Sequence, residues 1–343
     1  MGKSVRSRAP LRLGLAGGGS DVSPYCDIYG GYVLNTTIDK YAYTTIHSRE
    51  DKLVEFIATD LNLRGARNLE DDSYEGDQVP LHNLVFQHMF KIEPDKLKTG
   101  LTICTHTDAA PGSGLGSSST LVVSILKAFV EYLNLPSDNY YIAELAHKIE
   151  REEYKIKGGK QDQYSAAFGG FNFIEFPSNG LSPIVNPLKI KNWIICELES
   201  SLVIYYTGLS RDSGKIISDQ SETLLNNSKA LQSMHYLKEE AVIMKNALLK
   251  GDIDALCESI NRGWIHKQNT SSSISNPEIN SLFNCAKNNH ALAGKISGAG
   301  GGGYCWFIVL PENKMKLMRS LNNLGGTASA CHFVSTGCEA WTL

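Results

Sequence analysis

The stretch PGSGLGSSST, residues 111–120, holds three glycines and ends in four consecutive hydroxyl residues. An apolar helical pattern, 121–135, starts directly after it. Bare backbone amides at a helix start, together with the positive end of the helix dipole, form an anion site. One hydroxyl is enough to cap a helix, so Ser117, Ser118, Ser119 and Thr120 exceed what capping requires. The lysine-bearing phosphate loop GxxxxGK[ST] is absent. A second group of chemical residues lies in IEREEYKIKGGKQDQYSAAFGG, 149–170. Glu152 and Glu153 read as a solvated helix face. Asp162 stands between two glutamines just past a Gly-Gly turn, and Glu150 lies twelve residues before it. A solvated face does not explain that aspartate.

The elements that must position these residues alternate between strand and helix. Short runs rich in β-branched and aromatic residues predict strands at 11–17, 31–39, 40–48 and 52–60. Further strands are predicted at 100–110, 171–176, 193–198 and 202–208, with helices at 80–92, 121–135, 137–156 and 160–170. From about 212 helical patterns dominate, at 213–234, 235–251, 252–268 and 277–290. A glycine loop feeding a strand (293–310), a helix (312–325) and closing strands then suit a split βαβ sandwich. The expected class is α+β with two lobes, 1–210 and 211–343.

Three glycine-rich segments recur along the chain: AGGGSD (16–21), the 111–120 loop and ISGAGGGG (296–303). The third contains GxGxxG at Gly298, Gly300 and Gly303. A strand follows it, whereas a dinucleotide fingerprint must open a helix, so that reading fails.

Composition excludes several classes. A net charge of −3 gives no general attraction to nucleic acid. The eight cysteines are scattered without a CxxC pair, which argues against a zinc site or a disulfide framework. None of the nine histidines has ligand spacing. Trp193, Trp264, Trp306 and Trp341 sit among apolar residues and are expected in the core. No apolar run is long enough to span a membrane, and the N-terminus carries neither a signal pattern nor a myristoylation pattern. A soluble, cytoplasmic protein is expected, with no nucleic-acid or membrane partner. A homo-oligomer is compatible with the sequence, which does not set the number of copies.

PGSGLGSSST resembles the second motif, PxxxGLGSSAA, of the GHMP small-molecule kinases. ISGAGGGGYCWF resembles their third, and APLRLGLAGGGSD stands where their first begins, so the likeness runs through nearly the full chain. The resemblance implies a GHMP kinase fold, with an N-terminal lobe like domain 2 of ribosomal protein S5 and a ferredoxin-like C-terminal lobe. It implies ATP and Mg²⁺ as cofactors. Pro111, Gly112, Ser113, Gly114, Leu115, Gly116, Ser117, Ser118 and Ser119 would wrap the ATP phosphates, and Ser118 and Glu150 would meet the metal. The Glu150-to-Asp162 interval is about one residue longer than expected for mevalonate kinase. Asp162 takes the place of the catalytic aspartate. Arg12 takes that of the basic residue that stabilises the developing alkoxide and the transferring phosphoryl group.

GGKQDQYSAAFGGFNFIEF, YTGLSRDSG and the GGGSD run are similar to the branch that holds fucokinase and D-glycero-α-D-manno-heptose 7-phosphate kinase. This implies phosphorylation of an anomeric hydroxyl, with a heptose 7-phosphate favoured as the sugar phosphate and nucleotide-activated (GDP-) heptose for surface glycans downstream. Gly18, Gly19, Ser20 and Asp21 are the expected sugar contacts, with Gly298, Gly300 and Gly301. Arg211 is the first candidate for the 7-phosphate, with Lys160 and Lys215 behind it, and Thr207 and Gly208 shape the same loop. The adenine pocket is expected between the early strands and the helix around 82–90. Rival readings are a kinase for another sugar or an isoprenoid acid, a decarboxylase of the same family, and a non-catalytic sugar- and ATP-binding regulator.

Overall fold

A computed structural model describes residues 2–69, 74–75, 79–178, 180–209 and 212–343, with backbone only at 74–75. The first lobe comprises β1 (Ser4–Ala16), α1 (Tyr25–Tyr29), β2 (Gly31–Ser48), β3 (Leu53–Ala58), β4 (Leu63–Asn68), β5 (Tyr74–Glu75) and α2 (Pro80–Ile92). It continues through β6 (Leu101–Thr107), α3 (Ser117–Leu133), α4 (Asn139–His147), α5 (Gln161–Phe168), β7 (Phe171–Phe176) and β8 (Ile184–Pro187). Then come α6 (Asn192–Ser201), β9 (Leu202–Tyr206), α7 (Ser213–Asn226), α8 (Ser228–Lys250), α9 (Ile253–Gln268) and α10 (Pro277–Asn288). β10 (Ala291–Ile296), β11 (Tyr304–Val309), α11 (Pro311–Asn322), β12 (Thr327–Ser329) and β13 (Glu339–Thr342) complete the chain.

Among the described residues, nine strands form one sheet along the path β13-β1-β2-β6-β3-β4-β5, with β7 on β2 and β8 on β7. β2 is one continuous strand where two were expected. Its first half pairs with β7 and its second half with β6, so no turn is needed at 39–40. Valines, isoleucines and phenylalanines of β1, β3 and β6 form a core with α2, α3 and α4. A second sheet, β10-β11-β9-β12, is wholly antiparallel. Its strand and helix order is βαββαβ, the ferredoxin-like arrangement. β11 is buried along its full length because it faces α8 and α9 on one side and α10 and α11 on the other.

Several expectations change in three dimensions. The expected lobe division at 210 falls after β9, the first strand of the ferredoxin-like lobe, and β13 returns to pair with β1. Residues 193–198 are helical, not a strand. Ile194, Leu198 and Ser201 are buried at helical spacing, so the apolar run covers one helix face. The helix expected over 213–234 breaks at Asn227, whose side chain caps α8 by accepting from the Lys229 and Ala230 amides. Trp264 and Trp306 are core residues, but Trp193 is 53% exposed and Trp341 38%. α2 buries His82, Asn83, Val85, Phe86 and Met89, which commits the face expected at the adenine pocket to the core.

The second and third glycine loops pack backbone to backbone across the lobes. The Tyr304 amide donates to the Ser113 carbonyl (2.8 Å), and a Cβ on Gly298 (φ +79°) would sit 2.8 Å from Gly114 Cα. Gly298→Ala is therefore expected to destabilise by roughly 1–3 kcal/mol. A thermal melt should show the midpoint several degrees lower; an unchanged midpoint would contradict this loop packing.

Candidate active site

The end of β1, the N-terminus of α3 and the start of α5 border an open cleft of about 1070 Å³ that merges with solvent. Gly112, Gly114 and Gly116 all have positive φ (73°, 85° and 75°), which turns the 111–120 loop tightly enough for its backbone to face the cleft. Those glycines line it with Ser117, Ser118 and Ser119. Ser113 and Leu115 point into the protein, and Pro111 is exposed without lining the cleft.

The register between β1 and β2 slips between Pro10 and Arg12, and Leu11, Arg12 and Leu13 are all buried. The slip interrupts strand alternation and turns Arg12 inward. Its Nε donates to Asp162 Oδ1 at 2.7 Å, and its Nη1 donates to the Gly114 carbonyl at 2.6 Å and to Ser297 Oγ at 3.3 Å. Asp162 lies in the first turn of α5. Its Oδ2 accepts no bond from Arg12 and lies 3.1 Å from where a Gly116 Cβ would be. One carboxylate oxygen is thus held by the arginine while the other faces the α3 N-terminus.

Glu150 is fully buried just beyond α4, where the chain winds into a π-type turn over 148–153 and the Tyr154 amide reaches the Ile149 carbonyl. Such a turn takes in more residues than an α-turn and accommodates the longer Glu150–Asp162 interval. Ser118 Oγ donates to Glu150 Oε1 (2.7 Å) and Gln163 Nε2 donates to Oε2 (2.7 Å). Arg151 pairs with Glu150 at 3.2 Å and donates to the Ile156 and Gly159 carbonyls, which ties the 156–159 loop over the cleft.

The remaining sequence candidates divide. Gly18, Gly19, Asp21 and Gly298 line the cleft. Asp21 is already engaged: it accepts from the Gly19 amide and from the backbone and side chain of Gln161. Ser20 is buried, donating to Gly17 and Tyr32 carbonyls instead of facing the cleft. The Gly301 amide donates to the Ile274 carbonyl, and Gly300 lies against the same residue, so this half of the third loop braces 272–274. Lys160 pairs with Asp27 at 3.2 Å away from the cleft lining, and Lys215 is exposed. Thr207 Oγ1 accepts from the Gly303 amide, which anchors the third loop. Arg211 lies outside the described residues.

Two cleft residues carry no motif signal. Lys267, near the end of α9, is 8% exposed and donates to the Gly18 carbonyl (3.2 Å) and Gln220 Oε1 (3.3 Å). Lys295, on β10, donates to the Leu15 carbonyl at 3.0 Å. Burial pushes Lys267 down to about 8, against the opposing pull of Asp21. Lys295 keeps some exposure to the cleft, but desolvation followed by the charges of Lys267 and Arg12 pushes it down to about 7. Only a fold that brings 14–19, 267 and 295 together could reveal them; their placement in "WIHKQ" and "AGKIS" has no distinguishing spacing.

The family model described as GHMP kinases N terminal domain matches residues 83–170, and the GHMP kinases C terminal model matches 244–324. The chain is 43% identical over 344 residues to "D-glycero-alpha-D-manno-heptose 7-phosphate kinase" of Campylobacter jejuni subsp. jejuni serotype O:2, covering 99% of this chain and 100% of that protein. A crystal structure of a "D-glycero-D-manno-heptose 1-phosphate kinase" from Bacteroides thetaiotaomicron shares 42% identity, with a TM-score of 0.82 and 99% of each chain covered. The Bacteroides fragilis "L-fucokinase/L-fucose-1-P guanylyltransferase" is 24% identical across 92% of this chain and 36% of its own length. The chain belongs to the GHMP kinase family. It is an ATP-dependent phosphotransferase that acts on a hydroxyl group. Among the described residues, no helix is long and apolar enough to cross a membrane.

The two lysines make a stability prediction. Their folded values lie below the ordinary 10.5, so unfolding takes up protons between about pH 7 and 10.5 and stability rises with pH across that window. The destabilisation is complete below about pH 7. Lys295→Met should thus exceed the wild type in urea midpoint near neutrality, and the gap should narrow toward about pH 9. Parallel pH profiles for the two proteins would refute the assigned environment of Lys295.

Proposed function

We propose that this kinase transfers the γ-phosphoryl group of ATP to the anomeric hydroxyl of D-glycero-α-D-manno-heptose 7-phosphate, giving the 1,7-bisphosphate. The observation that carries the transfer chemistry is the Arg12–Asp162 pair set against the α3 N-terminus. The sugar is supported by the full-length likeness to the Campylobacter heptose 7-phosphate kinase. The product suits a route to GDP-heptose for surface glycans.

In this reading Asp162 is the catalytic acid/base and Arg12 its partner. Asp162 Oδ2 accepts the proton of the sugar hydroxyl as that oxygen bonds the γ-phosphorus and the bond to the leaving ADP oxygen breaks. Arg12 holds Oδ1 and offsets the charge that develops on the sugar oxygen and the phosphoryl group. An anomeric hydroxyl is more acidic than an ordinary alcohol, so the demand on Asp162 is modest. The backbone amides of 112–119 bind the phosphates of ATP at the positive end of α3. Ser118 and Glu150 present a hydroxyl and a carboxylate oxygen 2.7 Å apart beside that loop, a hard-oxygen donor set that suits Mg²⁺ completed by phosphate and water. When bound there, Mg²⁺ supplies positive charge to the phosphate oxygens. Gln163 and Arg151 orient Glu150 for that contact.

ADP release would be measured with heptose 7-phosphate, free heptose, fucose, galactose and mevalonate, with and without Mg²⁺. Turnover is expected with the 7-phosphate, and Asp162→Asn should lower kcat by about 10²–10⁴ while ATP still binds. Turnover confined to another sugar would overturn the substrate reading. Unaltered kcat in Asp162→Asn would remove the aspartate from its role. ATP binding without turnover of any of these compounds would favour a regulator. A second prediction concerns the cation: Ser118→Ala with Glu150→Gln should raise the Mg²⁺ concentration for half-maximal rate, and an unchanged Mg²⁺ requirement would rule out this donor set.

A further inference from the structure

Lys267 and Lys295 leave the cleft with more positive than negative charge. Arg12 is matched by Asp162, and Glu150 by Arg151. Among the described residues no carboxylate lies within ion-pair distance of either lysine. Lys267 donates only to one carbonyl and one amide oxygen, and Lys295 only to one carbonyl. An ammonium has three N–H donors, so one on Lys267 and two on Lys295 stay available. Asp21, the acid nearest Lys267 in charge, already accepts from Gly19 and Gln161.

Asp21 is a single carboxylate beyond ion-pair distance, so keeping two cations beside it in a protein interior is costly unless a ligand supplies further negative charge. The two side chains lie against the end of β1 and the first glycine segment that follows it. Lys295 reaches Leu15, and the Lys267 ammonium would be 3.1 Å from a Cβ on Gly19 (φ +106°). Met234 Cε (3.1 Å) and Gln220 Oε1 (3.4 Å) crowd the same position, so the glycine lets the turn lie close over that ammonium. The phosphates of ATP have a separate site at the α3 N-terminus, where amides and Ser118 face the cleft. A second anion site on the first glycine segment therefore calls for an acceptor that carries its own anion.

We propose that Lys267 and Lys295 bind the phosphate that the acceptor sugar already carries. The site takes a phosphate monoester dianion, whose two charges match two ammonium groups. It replaces the loop lysine Lys215 and the Asp27-paired Lys160 as the phosphate partner. The inference rests on the proposed phosphosugar acceptor and names the residues that select it. Gln220 positions Lys267 through its Oε1, with its own amide held by Thr270.

The test uses the full chain with Lys267→Met, Lys295→Met and, as polar controls, the two Gln variants. Initial rates are taken against heptose 7-phosphate, free heptose and ATP, and binding of heptose 7-phosphate to the ADP-loaded protein is followed by calorimetry. Loss of a hydrogen bond to a charged group predicts a rise in KM and Kd for heptose 7-phosphate of about tenfold to a hundredfold per lysine. Free-heptose rates and the KM for ATP should move less than about threefold, because neither loses a charged partner. Equal losses on the phosphorylated and free sugar would overturn the assignment, as would a rise confined to the KM for ATP. The wild-type rates separate the two levels. If the wild type turns over heptose 7-phosphate and the lysine variants match it, the lysine site fails while the substrate reading stands. If the wild type uses only unphosphorylated sugars, both fail.

Discussion

The Arg12 guanidinium joins parts of the chain that lie far apart in sequence. It binds the Asp162 carboxylate of α5, the Gly114 carbonyl of the second glycine loop and the Ser297 hydroxyl of the third. Its own amide donates to the Leu115 carbonyl. A side chain that is 94% buried and carries a permanent charge must have these acceptors, or its burial would cost more than its packing returns. The same contacts define the site. They hold Asp162, set the 111–120 loop against it, and tie the second lobe to the first.

Close approach of backbone makes that arrangement possible. A Cβ on Gly114 would overlap the Ser297 carbonyl, one on Gly303 the Ser113 carbonyl, and one on Gly116 would press on Asp162. The glycines thus serve two ends: positive φ turns the loop, and the missing Cβ lets one loop lie on another. The hydroxyl run that follows divides its work. Ser118 meets Glu150, Ser119 accepts from Gln163 and Arg151, and Ser117 donates to the Ala110 carbonyl. Few of these hydroxyls are spare, which accounts for a run longer than helix capping needs.

Charge is balanced on one side of Arg12 and unbalanced on the other. Toward Glu150, Arg12 and Arg151 each have a carboxylate. Toward Lys267 and Lys295 the acceptors are neutral carbonyl and amide oxygens. A ligand that brings negative charge to that side gains from a field the fold has already built, in surroundings where water screens little.

The glycine loops, the acid at 162 and the strand-and-helix order were legible in the sequence because they depend on short-range chemistry. Glycine at a tight turn, a hydroxyl run at a helix start, and period-two or period-3.6 patterning are all properties of neighbouring residues. The resemblance to a kinase family followed from the order of three such segments. What lay beyond the sequence depended on contacts between distant segments. The helix at 192–201 shows one apolar face that a strand could equally have shown, and only its packing on the β9–β11 side decided it. Ser20 and Gly300 lie in ligand-like loops but turn toward their own scaffold, because backbone satisfaction there outweighs exposure. Lys267 and Lys295 are 28 residues apart on a helix and a strand, with nothing in either neighbourhood to mark them. The sequence by itself determined the kinase family and which residues are candidates for its site. The tertiary structure decided which of them share a cleft and which charges in it lack a partner, since electrostatic balance is a property of positions in space, not of spacing along the chain.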